Sequence, residues 1–261
     1  MTNYLSGIQP SGNFHIGNFF GAIKQHIEIA RTLRKDDTAF YFIADLHALT
    51  STFDKKAIEE SVRALTATYL ALGMDQLPEA VLFRQSDIPE VTELAWILSN
   101  VTGMGLLERS HAYKDKTSKG LSANVGLFTY PVLMAADIAI YDTDVVPVGK
   151  DQIQHVEMAK DIVTHFNTLY KGNYLRMPQY RLSETPKVPG TDGEKMSKSY
   201  HNTIGIFSHG KQLDKEIASI ATDSRAPSEP KDPDSINLFA ILELFLSSEE
   251  SAEYRKRITE G

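Results

Sequence analysis

The chain contains no cysteine, which excludes disulfide bridges, zinc–thiolate sites and iron–sulfur clusters. It also lacks an apolar run of the ~20 residues that a membrane-spanning helix requires. The longest contender, residues 38–46, is short and contains Asp45. The N-terminus has neither the basic and apolar segments of a signal peptide nor the Arg-rich pattern of a presequence. These absences predict a cytoplasmic protein with no membrane segment.

The remaining composition is that of an ordinary globular protein, because 42% of the 261 residues are apolar and 23% are charged. The formal net charge of −7 argues against a nucleic-acid coat protein. It is compatible with an enzyme that contacts nucleic acid through a local basic patch. Residues 106–124 carry several basic side chains and few apolar ones, which predicts a partly mobile basic loop.

Apolar segments of strand length alternate with amphipathic helical segments, a pattern typical of an α/β protein with a parallel sheet. The predicted strands are 5–9, 38–45, 80–85 and 144–148, and the predicted helices are 17–33, 55–72, 89–101, 130–141, 151–170 and one from about 236. Proline and glycine predict loops at 186–194 and 226–234. We expect a Rossmann-like nucleotide-binding domain over 1–200 and a partial α-helical domain over 201–261.

A short signature follows the first predicted strand, where residues 6–12 form a turn and His15-Ile16-Gly17-Asn18 opens a helix. A helix N-terminus offers free backbone N–H groups and a positive dipole end, which suits a phosphate. His15 and Asn18 lie on one side of the first turn and can both donate hydrogen bonds to phosphate oxygens. Gly17 allows a nucleotide to approach the backbone closely. Taken alone, the segment also matches an ordinary Gly- and Ser-rich turn.

A second signature, Lys195-Met196-Ser197-Lys198-Ser199, follows the predicted loop 186–194. Two lysines on a mobile segment can stabilise the charge that develops on a departing pyrophosphate. This accelerates a reaction only if the interaction is stronger in the transition state than in the ground state. The alternative is a solvated loop without a catalytic role.

The order and separation of these two signatures resemble those of class I aminoacyl-tRNA synthetases. Segments 7–12, 130–138 and 146–152 are similar to the tryptophanyl-tRNA synthetase family in particular, and the similarity runs from about Leu5 to the end of the chain. Asn18 in place of a second histidine is usual in that family, whereas Leu5 stands where the family often has phenylalanine. The family continues with further anticodon-binding helices, so we expect this chain to activate its amino acid but to charge tRNA poorly.

The resemblance implies a tryptophan–tRNA ligase that activates L-tryptophan with ATP to tryptophanyl-adenylate and transfers it to tRNA(Trp). It implies that Mg²⁺ arrives with ATP and is held mainly by phosphate oxygens, with no metal-binding residues of the protein. It also implies a homodimer and assigns catalysis to His15, Asn18, Lys195 and Lys198. The implied ATP-binding residues are Gln9, Pro10, Ser11, Gly17, Asn18, Lys116, Gly149, Lys150, Asp151, Val188, Lys195, Met196, Ser197, Lys198 and Ser199. The implied tryptophan-binding residues are Gly7, His47, Tyr130, Met134, Asp137, Val146 and Gln152.

The predicted helix 130–141 places Tyr130, Met134, Asp137 and Tyr141 on one face. A carboxylate in such apolar surroundings needs a partner, because unpaired burial is costly. An indole N–H is a donor with no acceptor of its own and would suit it. Spacing alone favours a structural aspartate that caps a helix or pairs with a nearby lysine or arginine, whereas the resemblance implies a tryptophan pocket.

Asp151 has a similar pair of interpretations. It stands where the fourth predicted strand gives way to a helix, so it is either a plain helix N-cap or an acceptor for ribose hydroxyls. The resemblance implies the second role.

Three other functions fit parts of the sequence. Tyrosyl-tRNA synthetase shares the fold, and a nucleotidyltransferase of coenzyme biosynthesis has a similar histidine–glycine signature. A non-enzymatic regulator built on a synthetase remnant is the third, although intact His15, Lys195 and Lys198 argue against it.

Overall fold

The computed structural model describes residues 1–261 except 11, 13, 111–112, 115–123, 183–187 and 227–228, and the side chain of Asp151. It divides into two compact units, one of Met1–Gly12 with His26–Glu184 and one of Asn13–Gln25 with Thr185–Gly261. The two signatures therefore belong to the second unit. As a division between a catalytic and an anticodon-binding domain, the boundary at residue 200 stays a prediction.

The first unit contains a five-stranded sheet of the order β3-β2-β1-β4-β5 in which all pairs are parallel. The strands are β1 (Asn3–Ile8), β2 (Thr38–Ile43), β3 (Ala80–Arg84), β4 (Val145–Val148) and β5 (Gln179–Leu182). The predicted α/β fold with a Rossmann-like sheet is thereby confirmed. Both faces of such a sheet are covered, so its inner strands read as apolar runs, as β2 (TAFYFI) does.

The described helices occur in both units, and in the first unit they accompany the sheet. In chain order they are α1 (Ile16–Asn18), α2 (Lys24–Thr32), α3 (Asp45–Ala48), α4 (Lys55–Ala71), α5 (Pro89–Ser99), α6 (Met104–Leu107), α7 (Val125–Ala139), α8 (Ile153–Leu169), α9 (Gly210–Ala218), α10 (Asn237–Leu242) and α11 (Ser248–Glu260). Within the described residues, none of these helices is both long enough and apolar enough to cross a bilayer.

Each unit has its own apolar core. In the first unit, Leu5 and Phe42 of the sheet pack with Val132 of α7 and Ile162 of α8. In the second unit, a smaller cluster joins both signatures to the C-terminal helices: Phe20, Val188, Met196, Ile204, Ile220 and Ile241.

Several elements differ from the sequence prediction, including the helices α3, α6 and α9, which were not predicted. The predicted helix 17–33 is interrupted by a π-helical turn, Phe19–Ile23, which the spacing of the apolar residues does not reveal. α7 begins at Val125, five residues before the predicted start, where Asn124 Oδ1 accepts from the Leu127 N–H at 2.7 Å. Pro131 lies inside this helix, where it removes the N–H that would otherwise bond to the Leu127 carbonyl. β5 was missed because all four of its residues are exposed and show no apolar run.

Candidate active site

Several residues predicted to bind tryptophan or ATP lie at the carboxyl ends of the strands in the first unit. Gly7 is next to last in β1, His47 lies in α3 after β2, and Gly149 follows β4. The strand order reverses between β1 and β4, and ligands of parallel sheets bind at such a switch point. The sheet topology therefore brings together residues that are far apart in the sequence.

Asp137, on α7, is 2% exposed and its carboxylate is held by two side chains. His47 Nε2 lies 2.8 Å from Oδ2, and Gln85 Nε2 lies 2.8 Å from Oδ1 and 2.9 Å from Oδ2. Burial raises the pKa of Asp137, and the hydrogen bonds from His47 and Gln85 oppose this shift. The expected partner for a structural aspartate, a lysine or arginine, is not what contacts this carboxylate among the described residues.

Gln85 begins a 3₁₀ turn, Gln85–Asp87, directly after β3, and is only 1% exposed. Its Oε1 accepts from the backbone N–H groups of Leu46 at 3.1 Å and His47 at 3.4 Å, in the first turn of α3. A helix leaves these first N–H groups without intrahelical partners, so Gln85 caps α3 while it donates to Asp137. Gln85 was not among the residues predicted from the sequence. The one available signal was a polar residue directly after a buried strand, at the edge where ligands bind.

Tyr130 and His155 form a second polar group on the facing helices α7 and α8. The Tyr130 hydroxyl lies 2.9 Å from His155 Nε2 and 3.3 Å from Ser110 Oγ, and burial raises the pKa of Tyr130. The Tyr130 ring also makes an edge contact with the His47 ring, with centroids 6.3 Å apart. The structure thus brings together the predicted residues His47, Tyr130 and Asp137.

The other predicted residues of the first unit are found in several settings. Val146 is buried in the core, and Met134 is half-buried against it. Gly7 faces the Phe42 ring so closely that any Cβ would overlap it. Pro10 is buried, Gly149 is partly buried, and Gln9, Lys150 and Gln152 are exposed. Ser11, Lys116 and the side chain of Asp151 lie outside the described residues.

The second unit places the two signatures side by side through a short backbone pairing. The Ile16 N–H donates to the Ile204 carbonyl, and the Ile206 N–H donates to the Phe14 carbonyl, both at 3.0 Å. The pairing centres on a bridge between His15 and Gly205. This pairing joins the start of α1 to the chain segment that follows Lys195–Ser199.

His15 and Lys198 supply two buried polar atoms with no hydrogen-bond partner in the described structure, His15 Nδ1 and Lys198 Nζ. Burial and, secondarily, the charge of Lys198 lower the pKa of His15 to about 4, so the imidazole is neutral at physiological pH. Burial also lowers the pKa of Lys198, whose Nζ lies 5.5 Å from the centre of the Phe14 ring. Buried polar groups are normally satisfied, so this pair fits a site prepared for an anion.

Asn18 and Gly17 complete this side of the second unit. Asn18 Oδ1 accepts from the His15 N–H at 3.1 Å, which orients the amide with its NH₂ group available for donation. A Cβ on Gly17 would come 2.8 Å from His15 Nδ1 and 3.3 Å from Met196 Cβ. The glycine is therefore required for the close approach of the two signatures.

Asn202, which is 2% exposed, fixes the backbone of the lysine signature through hydrogen bonds. Its Nδ2 donates to Asp192 Oδ1 at 2.8 Å and to the Lys195 carbonyl at 3.2 Å, while its Oδ1 accepts from the Ser197 N–H at 2.8 Å. Val188 and Met196 are buried, whereas Lys195 and Ser199 are exposed and Ser197 is half-buried. Asn202 lies just beyond the signature and was not among the residues predicted from the sequence.

The comparisons with known proteins agree on one family. The sequence matches the family model of class I tRNA synthetases (W and Y) over residues 1–259. It is 50% identical to the tryptophan–tRNA ligase of Fusobacterium nucleatum, an alignment that covers 100% of this chain and 79% of that protein. It is 51% identical to the tryptophan–tRNA ligase of Campylobacter jejuni, over 98% of this chain and 79% of that protein.

Solved structures extend the same similarity to the fold. The tryptophanyl-tRNA synthetase of C. jejuni, crystallised with ADP and tryptophan, is 50% identical and matches with a TM-score of 0.89. The match covers 100% of this chain and 80% of that chain. A tyrosyl-tRNA synthetase from Archaeoglobus fulgidus matches with a TM-score of 0.61 at 20% identity, which indicates a common fold alone.

Proposed function

This chain belongs to the class I tRNA synthetases for tryptophan and tyrosine, and we propose that it acts as a tryptophan–tRNA ligase. It activates L-tryptophan with ATP and then transfers the aminoacyl group to tRNA(Trp). The names of the relatives at about half identity support tryptophan as the substrate. So does the tryptophan bound to the C. jejuni enzyme.

The observation that carries the proposal is the pair of unpartnered buried atoms, His15 Nδ1 and Lys198 Nζ. A neutral imidazole and a lysine ammonium that already lack partners need no rearrangement to receive phosphate oxygens. The N–H groups at the start of α1 add to this anion site. We assign Asn18 and Lys195 to the same phosphates, and Gly17, Met196, Ser197 and Ser199 to its walls.

In the reaction, an oxygen of the tryptophan carboxylate attacks the α-phosphorus of ATP in line. The new bond forms as the bond from that phosphorus to the bridging oxygen breaks, and the electron pair leaves with pyrophosphate. The protein needs no covalent nucleophile, because positioning and electrostatic stabilisation suffice for phosphoryl and nucleotidyl transfer. Lys195 and Lys198 stabilise the charge on the leaving pyrophosphate, and Mg²⁺ is carried mainly by phosphate oxygens.

We assign recognition of the amino-acid substrate's side chain to the first unit. Asp137 has more acceptor capacity than His47 and Gln85 use, since Oδ1 takes one hydrogen bond and Oδ2 takes two. We assign the remaining acceptor position to the indole N–H of tryptophan. Tyr130, Met134, Val146, Gly7 and Gln152 form the other parts of that pocket. The residues that remain assigned to ATP are Gln9, Pro10, Gly149, Lys150 and Val188. The same assignment holds for Ser11, Lys116 and the Asp151 side chain, which lie outside the described residues.

ATP–pyrophosphate exchange tests this proposal directly. We expect exchange with tryptophan, little with tyrosine, and a large loss in Lys198→Ala. Lys215→Ala, which removes an exposed lysine of α9, is the matched control and should retain full exchange. Exchange that depends on tyrosine, or on no amino acid, would overturn the assignment.

We further propose a cytoplasmic homodimer. Trp96 and Ile97 are neighbours on α5, and their large apolar side chains are 73% and 45% exposed. Large exposed apolar groups at adjacent positions support a protein contact. Sedimentation velocity tests this: the chain should sediment as a dimer and Trp96→Glu as a monomer.

A further inference from the structure

Gln85 occupies a position that only a glutamine side chain satisfies. Its oxygen faces two backbone N–H groups, of Leu46 and His47, and its nitrogen faces the carboxylate of Asp137. Backbone N–H groups can only donate and an ionised carboxylate can only accept, so the orientation of the amide is fixed by its neighbours. Asparagine is one methylene shorter, and glutamate offers an acceptor where Asp137 needs a donor.

The contacts of Gln85 determine where Asp137 has acceptor capacity left. Gln85 Nε2 reaches both carboxylate oxygens and keeps the plane of the carboxylate fixed, while His47 occupies a second position on Oδ2. The position that remains lies on Oδ1. The hydrogen bonds from both partners favour the ionised form of the carboxylate and oppose the effect of burial on its pKa. A hydrogen bond to a charged acceptor is about twice as strong as one between neutral groups.

We propose that Gln85 is a specificity-determining positioning residue: it holds the Asp137 carboxylate so that Oδ1 receives the indole N–H of tryptophan. This rests on the proposed function and deepens it. Gln85 itself does not touch the substrate; it acts through Asp137 and through the first turn of α3, which carries His47. Without it the carboxylate can rotate, and the selection between side chains with and without an N–H weakens.

Two substitutions separate this role from a structural one. Gln85→Met keeps the volume and removes both polar ends. Gln85→Glu keeps the shape and the acceptor for α3 but sets a carboxylate against Asp137. Two carboxylates at this distance share one proton, so the variant acquires a pH dependence that the wild type lacks. Gln76→Glu makes the same chemical change at an exposed position and is the matched control.

The measurement is ATP–pyrophosphate exchange with tryptophan and with its benzothienyl analogue, in which sulfur replaces the indole N–H. The wild type should prefer tryptophan, and Gln85→Met should lower that preference about tenfold, which corresponds to one hydrogen bond to a charged group. In Gln85→Glu the KM for tryptophan should rise as the pH increases from 6 to 8. The KM for ATP should change in neither variant, and Gln76→Glu should match the wild type in every respect.

Different results would refute the proposed function and the proposed role of Gln85. If the wild type shows no exchange with tryptophan, the proposed function is wrong. If the wild type prefers tryptophan and both Gln85 variants keep that preference, with a KM for tryptophan independent of pH, the role of Gln85 is wrong. A Gln85→Glu variant that does not fold leaves the selectivity of Gln85→Met to decide. Equal rises in the KM for ATP and for tryptophan would mark Gln85 as a structural residue and also overturn the inference.

Discussion

Replacing Asn202 with alanine should slow amino-acid activation without weakening the binding of tryptophan. The Asn202 amide makes three hydrogen bonds, two to the backbone of the lysine signature at Lys195 and Ser197 and one to Asp192. The adjacent His201 has φ of 52°, a left-handed conformation that is unfavourable for a residue other than glycine. Asn202 thus follows a residue in an unfavourable backbone conformation. It bonds to the segment that carries the lysines proposed to act on pyrophosphate.

The size of the effect follows from these bonds. Each contributes about 0.5–1.5 kcal/mol net, so their loss should cost about 2–3 kcal/mol of local order. If that order must be restored before the lysines meet the developing charge, the activation rate falls about 30- to 150-fold, at 1.36 kcal/mol per factor of ten. The KM for tryptophan should change less than threefold on this reasoning, because an interaction made only in the transition state affects kcat.

Asn167→Ala is the matched control. Asn167 holds a loop of the first unit in the same manner, donating to the Leu175 carbonyl at 2.7 Å and accepting from the N–H groups of Tyr174 at 3.0 Å and Leu175 at 3.1 Å. Both variants should lose stability in urea unfolding, but only Asn202→Ala should lose kcat in ATP–pyrophosphate exchange. If the two variants slow exchange equally, the reasoning about Asn202 is refuted.

Three further outcomes are expected. Lys195→Ala and Lys198→Ala should each lower the kcat of exchange about 100-fold with little change in the KM for tryptophan, whereas equal changes in both constants would indicate a structural loop. Asp137→Asn should reduce the preference for tryptophan over a phenylalanine-like analogue by about tenfold in the same assay, and an unchanged preference would remove Asp137 from the pocket. Burial lowers the pKa of His26 from 6.5 to about 3, so as the pH falls from about 7.5 to about 5 the unfolded chain gains a proton that the folded chain does not. The free energy of unfolding should therefore fall by up to about 2 kcal/mol over that range, a loss that His26→Gln should abolish in urea titrations.

The sheet was predictable to the extent that its strands are apolar. β2 and β3 read as apolar runs, and the predicted bounds of β1 to β4 agree with the structure within a few residues. β5 carries exposed residues and is defined by backbone pairing with β4 alone, which leaves no pattern in the side chains. The π-helical turn Phe19–Ile23 is hidden for a related reason, since Phe20, Ile23 and Ile27 keep a spacing that an α-helix also allows.

The candidate site, too, was predictable only in part. The two signatures could be found from the sequence because their chemistry resides in their own residues. Their juxtaposition could not, since it depends on backbone bonds of Ile16 and Ile206 to partners far along the chain. Gln85 and Asn202 were not predicted, because each acts on another residue and has no motif of its own.

The partners of Asp137 explain how a buried carboxylate can serve as a recognition group. An arginine would satisfy both oxygens at once and neutralise the charge, leaving little for a substrate to bind. An isolated carboxylate would have its pKa raised further by burial, and in the protonated form it would be a donor as well as an acceptor. His47 and Gln85 avoid both outcomes, because their hydrogen bonds oppose the rise in pKa that burial causes and still leave an acceptor position on Oδ1. The surrounding polar network is therefore part of the selection for an N–H donor, and a change in either partner should alter selectivity before it alters the rate of activation.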